Sequence, residues 1–203
     1  MNTLPQRPEI PPLALIAQLQ LLLGIEDPLP DENTELGRST RDWLARNWAD
    51  AEAGLLAKST RLRLEPPGSA TPNTFRFTIE RPYKRYDADG SIGLASGPIT
   101  GLIKFRPDLL TAPADETCVL VLIDPSTGLA HPNLDPRSGL LCTGDLPPGP
   151  ISLEATLLHL YGFLTYQRYN VRSALDLRAA RYFALDPDAF AGLVPVEPLW
   201  GAA

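Results

Sequence analysis

Residues capable of acyl chemistry lie close together in one segment of the chain. The segment 131-HPNLDPRSGLLCTG-144 contains one of the two histidines and one of the two cysteines among 203 residues. A thiolate such as that of Cys142 can attack an activated acyl group, and the thioester that forms keeps the group reactive. The side-chain amide of Asn133 can donate a hydrogen bond to the oxyanion of acyl transfer. The alternative is an ordinary loop thiol, and the residue types alone do not choose between the two.

His131 also has two interpretations. Its imidazole can act as a general base for the cysteine, or it can make a structural hydrogen bond that holds the loop in place. Pro132 follows it directly, and a proline restricts the backbone in front of Asn133. Both roles for the histidine stay open at this point.

Hydrophobic periodicity predicts the elements that position this segment. Apolar and polar residues alternate in 60–65 and 74–83, which predicts half-buried strands, and 98–105 fits a third strand. The continuous apolar run within 117–124 predicts a strand that is buried on both faces. Turn residues at 87-DADG-90 suit a tight connection. The sequence therefore predicts a four-stranded antiparallel meander, followed by an irregular loop of about 25 residues, a length that is uncommon without a function.

Helices are predicted on both sides of the strands. The apolar run 12–23 predicts a short buried helix, and 39–58 predicts a second helix that begins at Ser39 with Asp42 in a capping-box arrangement. After the loop, Pro150 and Ser152 mark the start of a third helix. Its core stripe consists of Leu153, Leu157, Leu160 and Leu164, and the final helix is predicted at 173–183.

This order of elements predicts an α+β fold: N-terminal helices, an antiparallel meander, a candidate active-site loop and two C-terminal helices. We divide the chain into an N-terminal helical extension and linker at 1–36, a main domain at 37–183 that contains the candidate active-site loop, and a C-terminal tail at 184–203. The tail can pack on the domain or bind a partner.

Composition narrows the classes of function. A net charge of −6 argues against general nucleic-acid binding, so the basic run 81-RPYKRY-86 is interpreted as a solvated strand end or a docking patch for an acidic protein. The spacing of Cys118, His131, Cys142 and His159 does not suit a metal site, and Cys118 is predicted to be a small buried residue. No apolar run reaches the roughly 20 residues of a membrane span, and the N-terminus lacks a signal peptide. We expect a cytoplasmic protein without a metal or cofactor.

From about Thr60 to Phe183 the chain resembles the ubiquitin-conjugating enzyme family. The resemblance rests on 131-HPN-133, then Gly139, and then 140-LLC-142, which is similar to the family's His-Pro-Asn and active-site cysteine. It continues through Gly-Pro at 149–150, the leucine-rich segment 153–164, Tyr-Asn at 169–170 and the segment 174–183, which ends in an aromatic residue. The implied fold is a helix, a four-stranded meander, the active-site loop and two further helices.

Departures from the family's pattern, which include a shorter gap to Pro150 and an extra N-terminal segment, separate this chain from the main eukaryotic branch. The spacing of eleven residues from His131 to Cys142 is one longer than usual, and the family's tryptophan after the cysteine is missing. The wording 124-DPSTGLA-130 before the motif is also different. These departures fit the divergent bacterial members, some of which act with a ubiquitin-like protein in antiviral defence operons.

The resemblance implies a mechanism. Cys142 would accept the C-terminus of a ubiquitin-like modifier from an adenylating activating enzyme as a thioester, and it would pass the acyl group to a target lysine. Asn133 would steady the oxyanion or hold the loop, and His131 would be structural. Ser173 matches the position that orients the incoming amine, although it can equally cap the final helix. Asp145 and Asp176 are alternatives for that role, and each is expected to be a surface charge.

Other functions stay open for comparison with the structure. The activating enzyme or a ligase would dock on the 39–58 helix, the apolar helix before it, or the run from Arg81 to Arg85. The chain can also be a non-enzymatic variant that only binds ubiquitin-like proteins. A hydrolase that uses Cys142 and His131 would need a third group to orient the histidine. A plain interaction module is the last alternative.

Overall fold

Strands with alternating apolar and polar residues, together with amphipathic helices, form an α+β fold. The structure is a computed structural model, which describes residues 28–68, 72–113, 115–144, 149–172, 174–193, 196 and 198–199. Within these ranges the helices and strands are α1 (Glu35–Ala51), β1 (Leu62–Glu65), β2 (Thr74–Tyr86), β3 (Ile92–Phe105), β4 (Val119–Ile123), α2 (Leu153–Leu164) and α3 (Leu177–Leu185). No helix in the described part of the chain is long and apolar enough to span a bilayer. The predicted helix at 12–23 lies outside the described residues.

The four strands form one antiparallel sheet in the order β1-β2-β3-β4, which confirms the predicted meander. Strand β2 places Phe75, Phe77 and Ile79 in the core, and each of these side chains is fully buried. The β2–β3 hairpin is longer than predicted, because pairing continues to Tyr86 opposite Ile92. The glycines near its end hide the alternation on which the shorter prediction depended.

Helix α1 begins earlier than predicted. Its N-cap is Thr34, whose side chain accepts a hydrogen bond from the Gly37 amide at 3.0 Å, so the predicted start at Ser39 is wrong. The predicted core face is confirmed, since Leu44, Ala51 and Leu55 are buried. Trp48, on the same face, stacks on Phe75 with ring centroids 6.1 Å apart. The α-helix ends at Ala51 and continues as a π-helical turn at Glu52–Leu56.

Helix α2 has the predicted N-cap, because the hydroxyl of Ser152 accepts a hydrogen bond from the Ala155 amide at 3.1 Å. The stripe of four leucines is buried: Leu153, Leu157, Leu160 and Leu164. Asn47 of α1 accepts a hydrogen bond from the Leu153 amide at 3.1 Å. This bond satisfies an amide that the helix start would otherwise leave without a partner.

The described part of the tail packs into the same core as the rest of the chain. Ala189, Leu193 and Leu199 are buried, and the hydroxyl of Ser59 donates to the Leu199 carbonyl at 2.5 Å. Helix α3 begins at Leu177, four residues later than predicted. The packing therefore continues past residue 183, where we placed the end of the domain.

The basic run on β2 is not the solvated patch that composition suggested. Arg81 and Lys84 are only 6% and 4% exposed. The Arg81 guanidinium carbon lies 5.7 Å from the centre of the Tyr161 ring, and the Lys84 ammonium lies 5.8 Å from that of Tyr182. Burial lowers the pKa of Arg81. Tyrosine rings on α2 and α3 cover these cations, so the run does not form a continuous docking surface; Arg85 is its exposed cation.

Candidate functional site

The irregular loop is attached to the edge strand of the sheet. Leu141 donates its amide to the Val121 carbonyl at 3.0 Å, and Ile123 donates to the Gly139 carbonyl at 2.7 Å. Gly139 has a φ of 74°, and a Cβ at this position would lie 1.9 Å from the Ile123 carbonyl oxygen. Only glycine tolerates both the left-handed backbone and the close approach. The glycine before the cysteine is therefore required by the way the loop meets β4.

A second attachment comes from the end of β2. The Tyr86 amide donates to the Gly128 carbonyl at 2.9 Å, and the Ala130 amide donates to the Lys84 carbonyl at 2.8 Å. The hydroxyl of Tyr166 bridges these two segments: it accepts a hydrogen bond from the Lys84 amide at 3.1 Å and donates one to the Ala130 carbonyl at 2.9 Å. The chain thus enters the His-Pro-Asn segment along a fixed path. Sequence reasoning missed Tyr166, since nothing in its local pattern distinguishes it from a core aromatic.

Cys142 lies directly against Asn133. Its amide donates to the Asn133 carbonyl at 2.8 Å, and Leu134 and Leu141 form an antiparallel bridge beside it. The thiol is free, and the residue is partly exposed. A Cβ added to Gly144 would lie 3.9 Å from the sulfur, so this glycine borders the thiol. Cys142 is accordingly held by its main chain, while the residue keeps a partly exposed surface and a free thiol.

The side chain of Asn133 holds two loops together. It is 2% exposed, and its Oδ1 accepts from the Asn170 amide at 2.7 Å. Its Nδ2 donates to the Asn170 carbonyl at 3.3 Å. An amide nitrogen carries two hydrogens, so one donor of Nδ2 is not used by this clamp. The geometry connects the cysteine loop to the segment after α2.

His131 is buried and neutral. Its ring is 0% exposed, lies 5.2 Å from that of Tyr166, and accepts a hydrogen bond at Nδ1 from the Asn133 amide at 3.1 Å. Burial lowers the pKa of His131 to about 4, and the main-chain groups of Arg168 and Phe163 only partly oppose this. Among the described residues, no group forms a hydrogen bond of good geometry with Nε2. With Nδ1 already accepting a bond, Nε2 carries the proton, and the imidazole has no nitrogen left to act as a base.

Asp176 is a structural group rather than the surface charge that we expected. It is only 6% exposed, and its carboxylate accepts a hydrogen bond from the Tyr86 hydroxyl at 2.7 Å. The same carboxylate caps α3, because it accepts hydrogen bonds from the amides of Arg178 and Ala179. The interpretation of Ser173 as that cap is therefore wrong. Burial and the bond to Asp176 raise the pKa of Tyr86. Ser173 and Asp145 themselves lie outside the described residues.

The start of α3 contacts the His-Pro-Asn segment through the main chain. The amides of Leu175 and Asp176 donate to the Pro132 carbonyl at 2.9 and 3.0 Å. The same carbonyl thus receives two bonds from a segment about 40 positions further along the chain. Together with the Asn133 clamp, these bonds place Asn170, Leu175 and Asp176 beside the cysteine loop.

The other cysteine and histidine do not join this site. Cys118 is fully buried, as predicted, and burial raises the pKa of its thiol. His159 lies on α2, where its Nδ1 is 3.1 Å from the Arg168 guanidinium. Among the described side chains, no group of three or more His, Cys, Asp and Glu is placed to hold a metal ion.

Comparison with known proteins does not identify a relative. No family model matches the chain, and no curated protein is significantly similar to it. The geometry above is therefore the basis for the functional argument.

Proposed function

We propose that the chain is a conjugating enzyme for a ubiquitin-like protein, with Cys142 as the acyl carrier. The Cys142 thiolate would attack the modifier's C-terminal carbonyl on its activating enzyme, and the activating enzyme's thiolate would leave. A lysine amine of the target would then attack the new thioester. The amine would lose its proton as an amide forms, and the Cys142 thiolate would leave. The steps require no metal or cofactor on this chain.

The contact between Cys142 and Asn133 is the observation that carries the proposal. A partly exposed cysteine donates its amide to the main-chain carbonyl of the asparagine in a His-Pro-Asn segment, despite the extra residue in the loop between them. The surrounding order of helix, four-stranded antiparallel meander, loop and two helices agrees with that of the ubiquitin-conjugating enzymes. Either feature alone is compatible with many functions. The combination of the Cys142–Asn133 contact with this order of elements favours a conjugating enzyme.

The clamp favours one role for Asn133 over the other. Both polar atoms of its side chain contact the main chain of Asn170, so the asparagine holds the loop in the resting enzyme. The second hydrogen of Nδ2, which the clamp does not use, would donate to the oxyanion during transfer. We therefore assign Asn133 to the loop first, with oxyanion contact as an additional role during transfer.

The geometry argues against the hydrolase alternative. A Cys/His hydrolase needs an imidazole that takes the thiol proton, oriented by a third group. The ring of His131 is fully buried, its Nδ1 already accepts the Asn133 amide, and its low pKa makes it a poor proton acceptor. The cysteine would thus be deprotonated without this histidine.

A thioester assay tests the proposal. The protein is incubated with a ubiquitin-like protein, its activating enzyme and ATP, and the products are separated with and without reductant. We expect a reductant-sensitive adduct that is absent in Cys142→Ala and present in Cys118→Ala. A stable complex without any adduct would instead support a non-enzymatic binding protein. Peptide cleavage without ATP would support the hydrolase.

The departures in the loop extend the proposal to a bacterial conjugation pathway in the cytoplasm, of the type found in antiviral defence. Neighbouring genes offer a simple check. An adenylating enzyme, a ubiquitin-like protein and a metal-dependent deconjugase beside this gene would support the pathway, and their absence would count against it.

A further inference from the structure

Tyr166 has a backbone conformation that residues other than glycine rarely adopt. Its φ is 55°, and among the described residues no other non-glycine residue has a positive φ. It directly follows Thr165, the C-cap of α2, at the position where helices commonly place a glycine. A strained residue that breaks such a local preference indicates that its side chain is needed.

The end of helix α2 does not itself require a tyrosine. The Tyr166 amide donates to the Phe163 carbonyl at 2.8 Å. The amides of Gln167 and Arg168 donate to the Gly162 carbonyl at 3.0 and 3.1 Å. All three bonds are made by the main chain, so a glycine at this position would form them with less strain. The reason for the tyrosine therefore lies in its side chain.

The Tyr166 hydroxyl fixes the point where the chain enters the His-Pro-Asn segment. It joins the Lys84 amide to the Ala130 carbonyl, and among the described residues no other group donates to that carbonyl. The ring lies 5.2 Å from that of His131 and 4.7 Å from that of Phe183, which holds the hydroxyl in place. Burial raises the pKa of Tyr166, so the hydroxyl stays protonated and remains a donor.

A short series of bonds connects this hydroxyl to Cys142. Ala130 is joined to His131 by a peptide bond, and the His131 ring accepts the hydrogen bond of the Asn133 amide. The Asn133 carbonyl in turn accepts the hydrogen bond of the Cys142 amide. A displacement of Ala130 would thus move Asn133 relative to the thiol. An error of about 1 Å at a reacting centre can slow a reaction roughly 100-fold.

We infer that Tyr166 is a positioning residue for acyl transfer, and that its hydroxyl holds Asn133 in place against Cys142. Tyr166 does not contact the reacting atoms; it acts through Ala130 and His131. The inference rests on the proposed function and adds a residue to it. Tyr166→Phe keeps the ring contacts and removes only the hydroxyl, so the Ala130 carbonyl loses its described donor.

Discharge of the thioester to free lysine tests this role. The adduct on Cys142 is formed first, ATP is removed, and its decay is followed at increasing lysine concentrations. We expect Tyr166→Phe to lower the rate at saturating lysine about tenfold. The half-saturating lysine concentration should stay the same, because the residue does not contact the amine. Tyr166→Gly should be at least as slow, although it relieves the strained backbone.

Ser59→Ala is the matched control. Its hydroxyl also bridges two main-chain groups, since it accepts from the Leu62 amide at 3.0 Å and donates to the Leu199 carbonyl at 2.5 Å. Neither group belongs to the cysteine loop. Ser59→Ala should therefore lower the stability of the fold but leave the discharge rate as in the wild type.

Hydrogen exchange of the Cys142 amide tests the inference without any conjugation reaction. This amide is bonded to Asn133, so a loosened loop exposes it to solvent. We expect Tyr166→Phe to accelerate its exchange about tenfold more than that of the amides in β3. In Ser59→Ala the Cys142 amide should exchange as it does in the wild type, relative to the same β3 amides.

A wild-type discharge rate in Tyr166→Phe would overturn the inference, as would an equal loss of rate in Ser59→Ala. A raised half-saturating lysine concentration would also overturn it, because Tyr166 would then affect binding of the amine. Recovery of the rate in Tyr166→Gly would show that the hydroxyl is not needed. If no thioester forms in any protein, the proposed function fails and exchange decides alone: selective acceleration at Cys142 supports the positioning of the loop by Tyr166, and its absence contradicts it.

Discussion

At the scale of the residue, the loop uses its conspicuous side chains in different ways. Cys142 is partly exposed and its thiol is free, while Asn133 and His131 are both buried and both hydrogen-bonded to the backbone. A histidine near a cysteine suggests a catalytic pair in sequence. Here the imidazole accepts a hydrogen bond from the amide two residues away, so its role is to stabilise the loop.

Burial of His131 predicts a stability that depends on pH. The folded-state pKa of about 4 lies below the ordinary value of about 6.5. Between these two pH values the imidazole is protonated in the unfolded chain but neutral in the folded protein. His131 therefore leaves the free energy of unfolding undiminished above about pH 6.5 and lowers it as the pH falls towards 4. The total effect is roughly 3 kcal/mol. Urea unfolding at pH values across this range measures it.

The second histidine provides the control. His131→Gln should flatten the pH dependence between about pH 6.5 and 4, whereas His159→Gln should leave it as in the wild type. Carboxylates that titrate in the same range affect all three proteins equally. An unchanged slope in His131→Gln would show that the buried imidazole does not carry the effect.

At the scale of the element, the long loop is ordered by strands on two sides rather than by regular structure of its own. The end of β2 bonds to the residues from 128 to 130, and β4 bonds to the residues from 139 to 141. The loop therefore needs particular backbone shapes where it meets the sheet. Gly139 is the position where the fit is closest.

Substitutions at Gly139 and Gly149 distinguish the cost of a left-handed backbone from the cost of a steric clash. Gly139→Ala should cost about 3 kcal/mol or more of unfolding free energy, because its Cβ would collide with the Ile123 carbonyl in addition to the cost of a left-handed backbone. Gly149 has a φ of 82°, but a Cβ there meets no described atom within 4 Å, so Gly149→Ala should cost only about 1–2 kcal/mol. Urea unfolding measures both. Equal costs would mean that the loop moves away from β4 without difficulty.

At the scale of the whole molecule, the chain beyond α3 completes the core. Leu199 is 2% exposed and belongs to the same apolar cluster as the leucines of α2, and its carbonyl accepts the Ser59 hydroxyl. The C-terminal segment thus contacts the end of the π-helical turn that follows α1. Sequence order would have allowed this segment to extend away from the domain.

A matched pair of leucines tests the contribution of the C-terminal segment. Leu199→Ala should destabilise the fold by about 2–4 kcal/mol, because it removes buried methyl groups and leaves a cavity. Leu185 is 70% exposed at the end of α3, and Leu185→Ala should change stability by less than about 0.5 kcal/mol. Denaturant titrations compare the two variants with the wild type. Similar small effects would show that the segment does not stabilise the domain.

The sequence by itself determined the features that depend on local periodicity and local chemistry. Alternation predicted β1 and β2, and a continuous apolar run predicted β4. The spacing of Leu153 to Leu164 predicted the buried face of α2, and Ser152 predicted where that helix begins. The helices and strands follow from side-chain periods that are the same in every protein. The resemblance to a family, and not periodicity, implied that Asn133 works together with Cys142; a main-chain hydrogen bond joins the two residues.

Only the tertiary structure decided which polar groups are buried and what they contact. Arg81 and Lys84 lie under the rings of tyrosines from α2 and α3, and Asp176 meets Tyr86 from 90 positions away. The solvation of a charge depends on which distant groups cover it, and that information is spread over the whole chain. The contact between the active-site loop and the chain after α2 has the same origin, since Asn133 and Pro132 bond to the main chain of Asn170, Leu175 and Asp176.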